Sequence, residues 1–190
     1  MKILASSAGA ARAAGLGLFL LLLAGWNAAK ASSSPAEAAI QDWPEPARAT
    51  ARLMIARYGE PGRADADALR WSGNGPWAKT IVHRAGPDLM GPRAGDCLEQ
   101  TAADRVPPGR ILDVRRFSER LAVNRRDEQM TARSPNERTN FLLVNLAHEI
   151  ASGKRGFKSA DAFYKRIEKL EKAGKSSPYT RGLLFPPPLK

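Results

Sequence analysis

The chain has 190 residues, 30 lysines and arginines against 19 aspartates and glutamates, a formal net charge of +11, and one cysteine, Cys97. A lone cysteine excludes an internal disulfide framework and every paired-cysteine redox or zinc motif. The basic balance favours contact with anionic surfaces.

Lys2 and Arg12 make a positive n-region around the start of the charge-free apolar run 13–26, and Ala29-Lys30-Ala31 meets the small-x-small cleavage rule. Residues 1–31 are therefore expected to be a signal peptide. Removing those 31 residues leaves 159, enough for one domain with its own core. Lys2, Arg12 and Lys30 leave with the leader, which lowers the net charge from +11 to +8. Basic residues on the inner side send the rest of the chain out of the cytoplasm. The expected location is periplasmic or secreted, with membrane anchoring if the leader stays uncleaved. Trp26 stands where a lipoprotein signal requires cysteine, so a lipid anchor is not expected.

Residues 32–44 are small and polar and are expected to be a flexible lead-in. A helix then fits residues 46–58, with Ala47, Ala51, Met54, Ile55 and Tyr58 on one stripe, Gly59 ending it and Pro61 preventing its resumption. Residues 68–71 and 77–84 suit strands, joined by Ser72-Gly73-Asn74-Gly75, whose Gly and Asn accept positive φ. The Gly- and Pro-containing stretch 86–96 is a loop with no assigned role. Residues 97–106 suit a third strand, and Ile111, Leu112, Val114 and Phe117 a short helix. Leu121 and Val123 are out of phase with Met130 and Ala132, which predicts a turn or bulge near 124–127.

The stretch 134–153, SPNERTNFLLVNLAHEIASG, is expected to be the central helix. Ser134 suits an N-cap, Pro135 the first helical position, Glu137 a capping box and Gly153 the stop. Leu142, Leu143, Leu146, Ala147 and Ile150 share a face that Phe141 and Val144 widen. Arg138, Asn145, Glu149 and Ser152 form the only polar stripe, so Glu149→Gln is expected to change almost nothing. A helix apolar over most of its circumference is buried on several sides. A last helix runs from Ser159 to Gly174, and residues 175–190, with Pro186-Pro187-Pro188, are expected to be a disordered tail. These elements predict one α+β domain over residues 45–174. It would hold a small antiparallel sheet of three or four strands with helices packed on one face.

RYGEP at residues 57–61, GPWAKTIVHR at 75–84, LEQT at 98–101 and NFLLVNLAHEIASGKR at 140–155 resemble a family of uncharacterised exported bacterial proteins. The resemblance implies a single exported domain and carries no activity or catalytic residue. Loop 86–96 is shorter and altered beside that family.

No complete catalytic motif is present. His148-Glu149 lacks the second histidine that a helical zinc-protease motif places four residues on, where Ser152 stands. His148 is expected to pack at the edge of the apolar arc and bond a backbone carbonyl. Ser72 lacks the glycine two residues earlier that a nucleophile elbow needs, and GNGPWA precedes a strand rather than opening a helix. His83, Cys97 and His148 are the only imidazole or thiol groups after residue 31 and follow no ligand spacing. Arg125 and Arg126 lie in the richest cationic stretch, residues 115–138, and are candidates for contact with an anion; without interleaved aromatics, nucleic acid is not an expected partner. The sequence therefore predicts a non-enzymatic exported protein, without cofactor. It would bind an anionic envelope polymer, a lipid surface or a protein. The alternative is a hydrolase or metal-dependent enzyme using His83, Cys97 and His148.

Overall fold

The computed structural model describes residues 34–88 and 90–186. Residues 1–33 (which include the expected signal peptide), Leu89 and residues 187–190 lie outside the described residues. The fold is α+β. Among the described residues a single antiparallel sheet has six strands, in the order β1-β2-β3-β4-β6-β5, rather than three or four. The additional strands are the two-residue β1 (Arg63–Ala64) and the split of the out-of-phase segment into β5 (Leu121–Asn124) and β6 (Gln129–Ser134). The turn between β5 and β6 resets the alternation, so Leu121 and Val123 fall opposite Ala132 and Met130. β2 (Ala68–Asn74), β3 (Trp77–His83) and β4 (Leu98–Ala103) complete the sheet.

Register aligns the buried side chains in rows. Leu69, Val82 and Leu98 form one cross-strand row, Trp71, Thr80, Gln100 and Ala132 the next, and Ala102, Met130 and Val123 another. Period-2 alternation puts all three rows on one face. Helices α1 (Pro35–Ala39) and α2 (Glu45–Tyr58) cover the first rows, burying Ala36, Ile40, Trp43, Ala51 and Met54 against Leu69, Trp71, Val82 and Leu98. Residues 34–44 are thus tied into the core rather than forming a flexible lead-in. The Trp43 indole also donates to the Ala66 carbonyl at 2.9 Å.

α4 (Glu137–Ala151) covers Ala102, Met130 and Ala132, with α3 (Ile111–Phe117) and α5 (Phe157–Lys172) packed on it. The start of α4 differs from expectation. Ser134 ends β6, and Asn136 is the cap, accepting from the Thr139 amide at 3.0 Å. Glu137 is therefore the first helical residue and its side chain is free to turn inward.

Residues 175–186 also depart from the expected disordered tail. The supposed solvent stripe of α4 is where they dock. Asn145 Nδ2 donates to the Tyr179 and Gly182 carbonyls at 3.1 and 2.8 Å, and its Oδ1 accepts from the Leu184 amide at 2.8 Å. The Glu149 carboxylate accepts from the Tyr179 hydroxyl and Arg155 Nε, both at 2.6 Å. Glu149 is 5% exposed, which overturns its reading as an inert surface residue. Burial opposes its ionisation, but hydrogen bonds from Tyr179, Arg155 and Lys154 prevail and pull its carboxyl down to about 2. Among the described residues, no helix is long and apolar enough to cross a membrane.

Candidate functional site: a buried carboxylate between two clefts

Glu137 is 6% exposed and sits where α2, β3, β4 and α4 meet. Its Oε1 accepts from Trp77 Nε1 at 2.7 Å, from Gln100 Nε2 at 2.8 Å and from the Tyr58 hydroxyl. Its Oε2 lies 3.1 Å from Arg57 Nε. A carboxylate removed from water needs such compensation, because desolvation costs several kcal/mol in order of magnitude. Burial first, then the hydrogen bond to Glu137 and its charge, push the Tyr58 hydroxyl up to about 12, so it remains a donor at neutral pH.

Each donor is delivered by a local feature of the sequence. Arg57 and Tyr58 end α2, where Gly59 stops the helix at φ +76. Trp77 opens β3 after a glycine-rich hairpin. On β2 the inward residues are Leu69, Trp71 and Asn74, and on β3 they are Trp77, Thr80 and Val82. The inward phase therefore slips by one residue on both strands near the turn. Gly73, at φ +61, permits the slip, and it aims the Trp77 indole inward. The ring stacks on Phe141 with centroids 4.8 Å apart. Gly75, at φ +60, lets the turn pass close to Tyr58: a Cβ there would lie 3.1 Å from Tyr58 Cε1.

Behind Glu137 a polar seam interrupts the apolar face. Gln100 Oε1 accepts from Asn140 Nδ2 at 3.0 Å, and Asn140 also donates to the Leu98 carbonyl at 3.2 Å. Thr80 Oγ1 accepts from Asn74 Nδ2 at 2.9 Å. Gln100, Asn140 and Thr80 are fully buried, so this network is held without solvent. Arg57 and Tyr58, Trp77, Gln100 and Asn140, carried by α2, β3, β4 and α4, all reach this point.

Glu137, Arg57 and Arg138 line two adjoining cavities. The first, about 450 Å³, lies between α2 and the start of α4, with Leu53, Met54, Leu98 and Pro135 as its apolar lining. The second, about 340 Å³, adds Phe141, Thr180 and Arg181. With three donors on one oxygen and an arginine at the other, the Glu137 carboxylate is committed to holding the wall between the cavities. The arrangement suits recognition of a molecule rather than proton transfer to it. Sequence spacing points only to a capping box for Glu137, and nothing local in the sequence signals its tertiary role.

The residues singled out from the sequence lie elsewhere. His83 Nε2 is 3.0 Å from Glu99 Oε2, in strand positions whose register points them away from the helices. The hydrogen bond from His83 outweighs burial and holds the Glu99 carboxyl below its usual range. Cys97 is 2% exposed, and burial pushes its thiol up. His148 Nδ1 is 3.1 Å from Asp104 Oδ2, and its ring stacks on Phe185 with centroids 4.1 Å apart. Its partner is thus a carboxylate 44 positions away rather than a backbone carbonyl. Cys97 and Asp104 flank opposite ends of β4, about 23 Å apart at ~3.3 Å per residue. Cys97 and His148 are therefore not brought together. Among the described residues, no group of three or more His, Cys, Asp and Glu is placed to hold a metal ion.

Arg125 and Arg126 are exposed on the β5–β6 turn, where Asn124 Oδ1 accepts from the Arg126 amide at 3.1 Å. Arg120 and Arg133 of the same stretch are used internally. Arg120 Nε bonds Asp96 Oδ2 at 2.8 Å, and Arg133 bonds the Asp96 and Ala85 carbonyls at 2.9 and 2.8 Å. These contacts pin both ends of loop 86–96. Comparison with protein-family models, with curated proteins and with solved structures finds no match for this chain.

Proposed function

We propose that this is an exported, non-enzymatic protein that binds a component of the cell envelope in the cleft between α2 and α4. The observation that carries the reading is the locked Glu137 wall between an apolar cavity and an arginine-lined one. Preformed concave sites with apolar linings and a few fixed polar groups are typical of ligand recognition. The leader pattern and the family resemblance support export, and the net positive charge supports an anionic partner.

The test compares envelope association of the tagged protein with that of Leu53→Gln. Leu53 is 64% exposed within the cleft, so its replacement spares the core. Envelope association should fall at least fivefold in the variant while its Tm stays within a few degrees of wild type. Undiminished association at an unchanged Tm refutes the cleft as the binding site.

A further inference from the structure

Resting on that cleft as the binding site, we propose that its ligand is a free single-chain anionic amphiphile. The acidic head lies among Arg57, Arg138 and Arg181, and the alkyl chain runs along the α2–α4 cleft. The two cavities share Arg57, Arg138 and Glu137, so the cationic and apolar parts adjoin. Three guanidinium groups face two carboxylates there: Arg57 pairs with Glu137 and Arg138 with Glu171. Among the described residues, one positive charge is left in excess, contributed by Arg181.

The pairing also leaves donors available. Arg57 meets Glu137 through Nε and Arg138 meets Glu171 through one terminal nitrogen. A guanidinium carries five N–H donors in a planar fork. The side chains of Arg57 and Arg138 are 53% and 57% exposed, so a ligand in the cleft can reach both. Planar donor pairs match a carboxylate or phosphate head.

The other half of the site selects against a small anion. Leu53, Met54, Leu98 and Pro135 offer an apolar lining of about 450 Å³ that an acetate or inorganic phosphate cannot cover. A cationic chain of the same length would fill that lining but place its head against the excess positive charge. The combination is specific to a chain with an acidic end.

Calorimetric titration of the full protein with decanoate, acetate and decyltrimethylammonium tests this, alongside Arg181→Ala and Leu53→Gln. Decanoate should bind at least tenfold more tightly than either control. Arg181→Ala and Leu53→Gln should each weaken it at least fivefold without lowering the Tm. Decanoate binding no tighter than decyltrimethylammonium overturns the proposal, as does binding that ignores both substitutions. Association with anionic vesicles but not with free decanoate also overturns it, in favour of a membrane surface. The two readings fail separately. If decanoate does not bind yet Leu53→Gln still abolishes envelope association, the ligand class is wrong and the cleft stands. If decanoate binds through Leu53 and Arg181 while envelope association ignores Leu53, the ligand class stands and the envelope reading falls.

Discussion

Replacing Glu137 by alanine tests whether the buried carboxylate organises the site. The substitution leaves the Trp77 and Gln100 donors without their acceptor in positions 1% and 0% exposed. A buried donor stripped of its partner costs about 1–3 kcal/mol. Tyr58 is only half buried and can turn to water, and Arg57 is 53% exposed, so the ion pair itself adds no more than about 1 kcal/mol. Water can reach the emptied position from the adjoining cavities, which favours the lower half of the range. The expected total is about 2–4 kcal/mol. For a chain of this size that lowers the Tm by roughly 4–16 °C. Glu137→Gln keeps an oxygen for the three donors and loses mainly the charge assistance, so it should cost about half as much. Urea unfolding followed by tryptophan fluorescence gives both values. If Glu137→Ala lies within about 1 kcal/mol of wild type, or equals Glu137→Gln, Glu137 does not hold this junction.

Glu149→Gln should destabilise the protein by roughly 1–3 kcal/mol at neutral pH, through weakened bonds to Tyr179 and Arg155. The folded-state carboxyl is depressed from 4.5 to about 2, so its contribution is complete above about pH 4.5 and lost as pH falls towards 2. Urea midpoints measured across that window should converge for variant and wild type, and a constant gap would contradict the assignment. The three tyrosines, Tyr58, Tyr164 and Tyr179, all have hydroxyls raised above the ordinary value of 10, chiefly by burial, the first two to about 12. Native absorbance at 295 nm should therefore show Tyr58 and Tyr164 titrating well above 10, and the stabilising contribution of these two should be lost as pH rises through about 12. Two thirds or more of the absorbance change appearing by pH 10 would refute this.

Much of the fold is readable from local pattern. The α3 helix matches its apolar spacing, α2 matches its stripe and its Gly59 stop, and the phase conflict around residues 124–127 marks the β5–β6 turn. Those features depend on residues a few positions apart, where 3.6- and 2-residue periods act. The number of strands is less readable, because β1 has only two residues and takes its order from pairing with β2. The polar stripe of α4 is visible in the sequence, but its role is not. Asn145 and Glu149 look solvent-facing until residues 179–184 supply their partners from more than 29 positions away. The same holds for His148, whose Asp104 and Phe185 come from β4's far end and the last described turn.

The sequence by itself determined the α+β character, the central apolar helix and the absence of a complete catalytic motif, because each is a matter of spacing or composition. Only the tertiary structure decided which polar residues matter. Tyr58, Trp77, Gln100 and Glu137 belong to four different elements and become a unit through hydrogen bonds spanning 37 to 79 positions. Burial determines their importance: the same side chains in water would lose little by separating, whereas here each unmet donor carries its full desolvation cost.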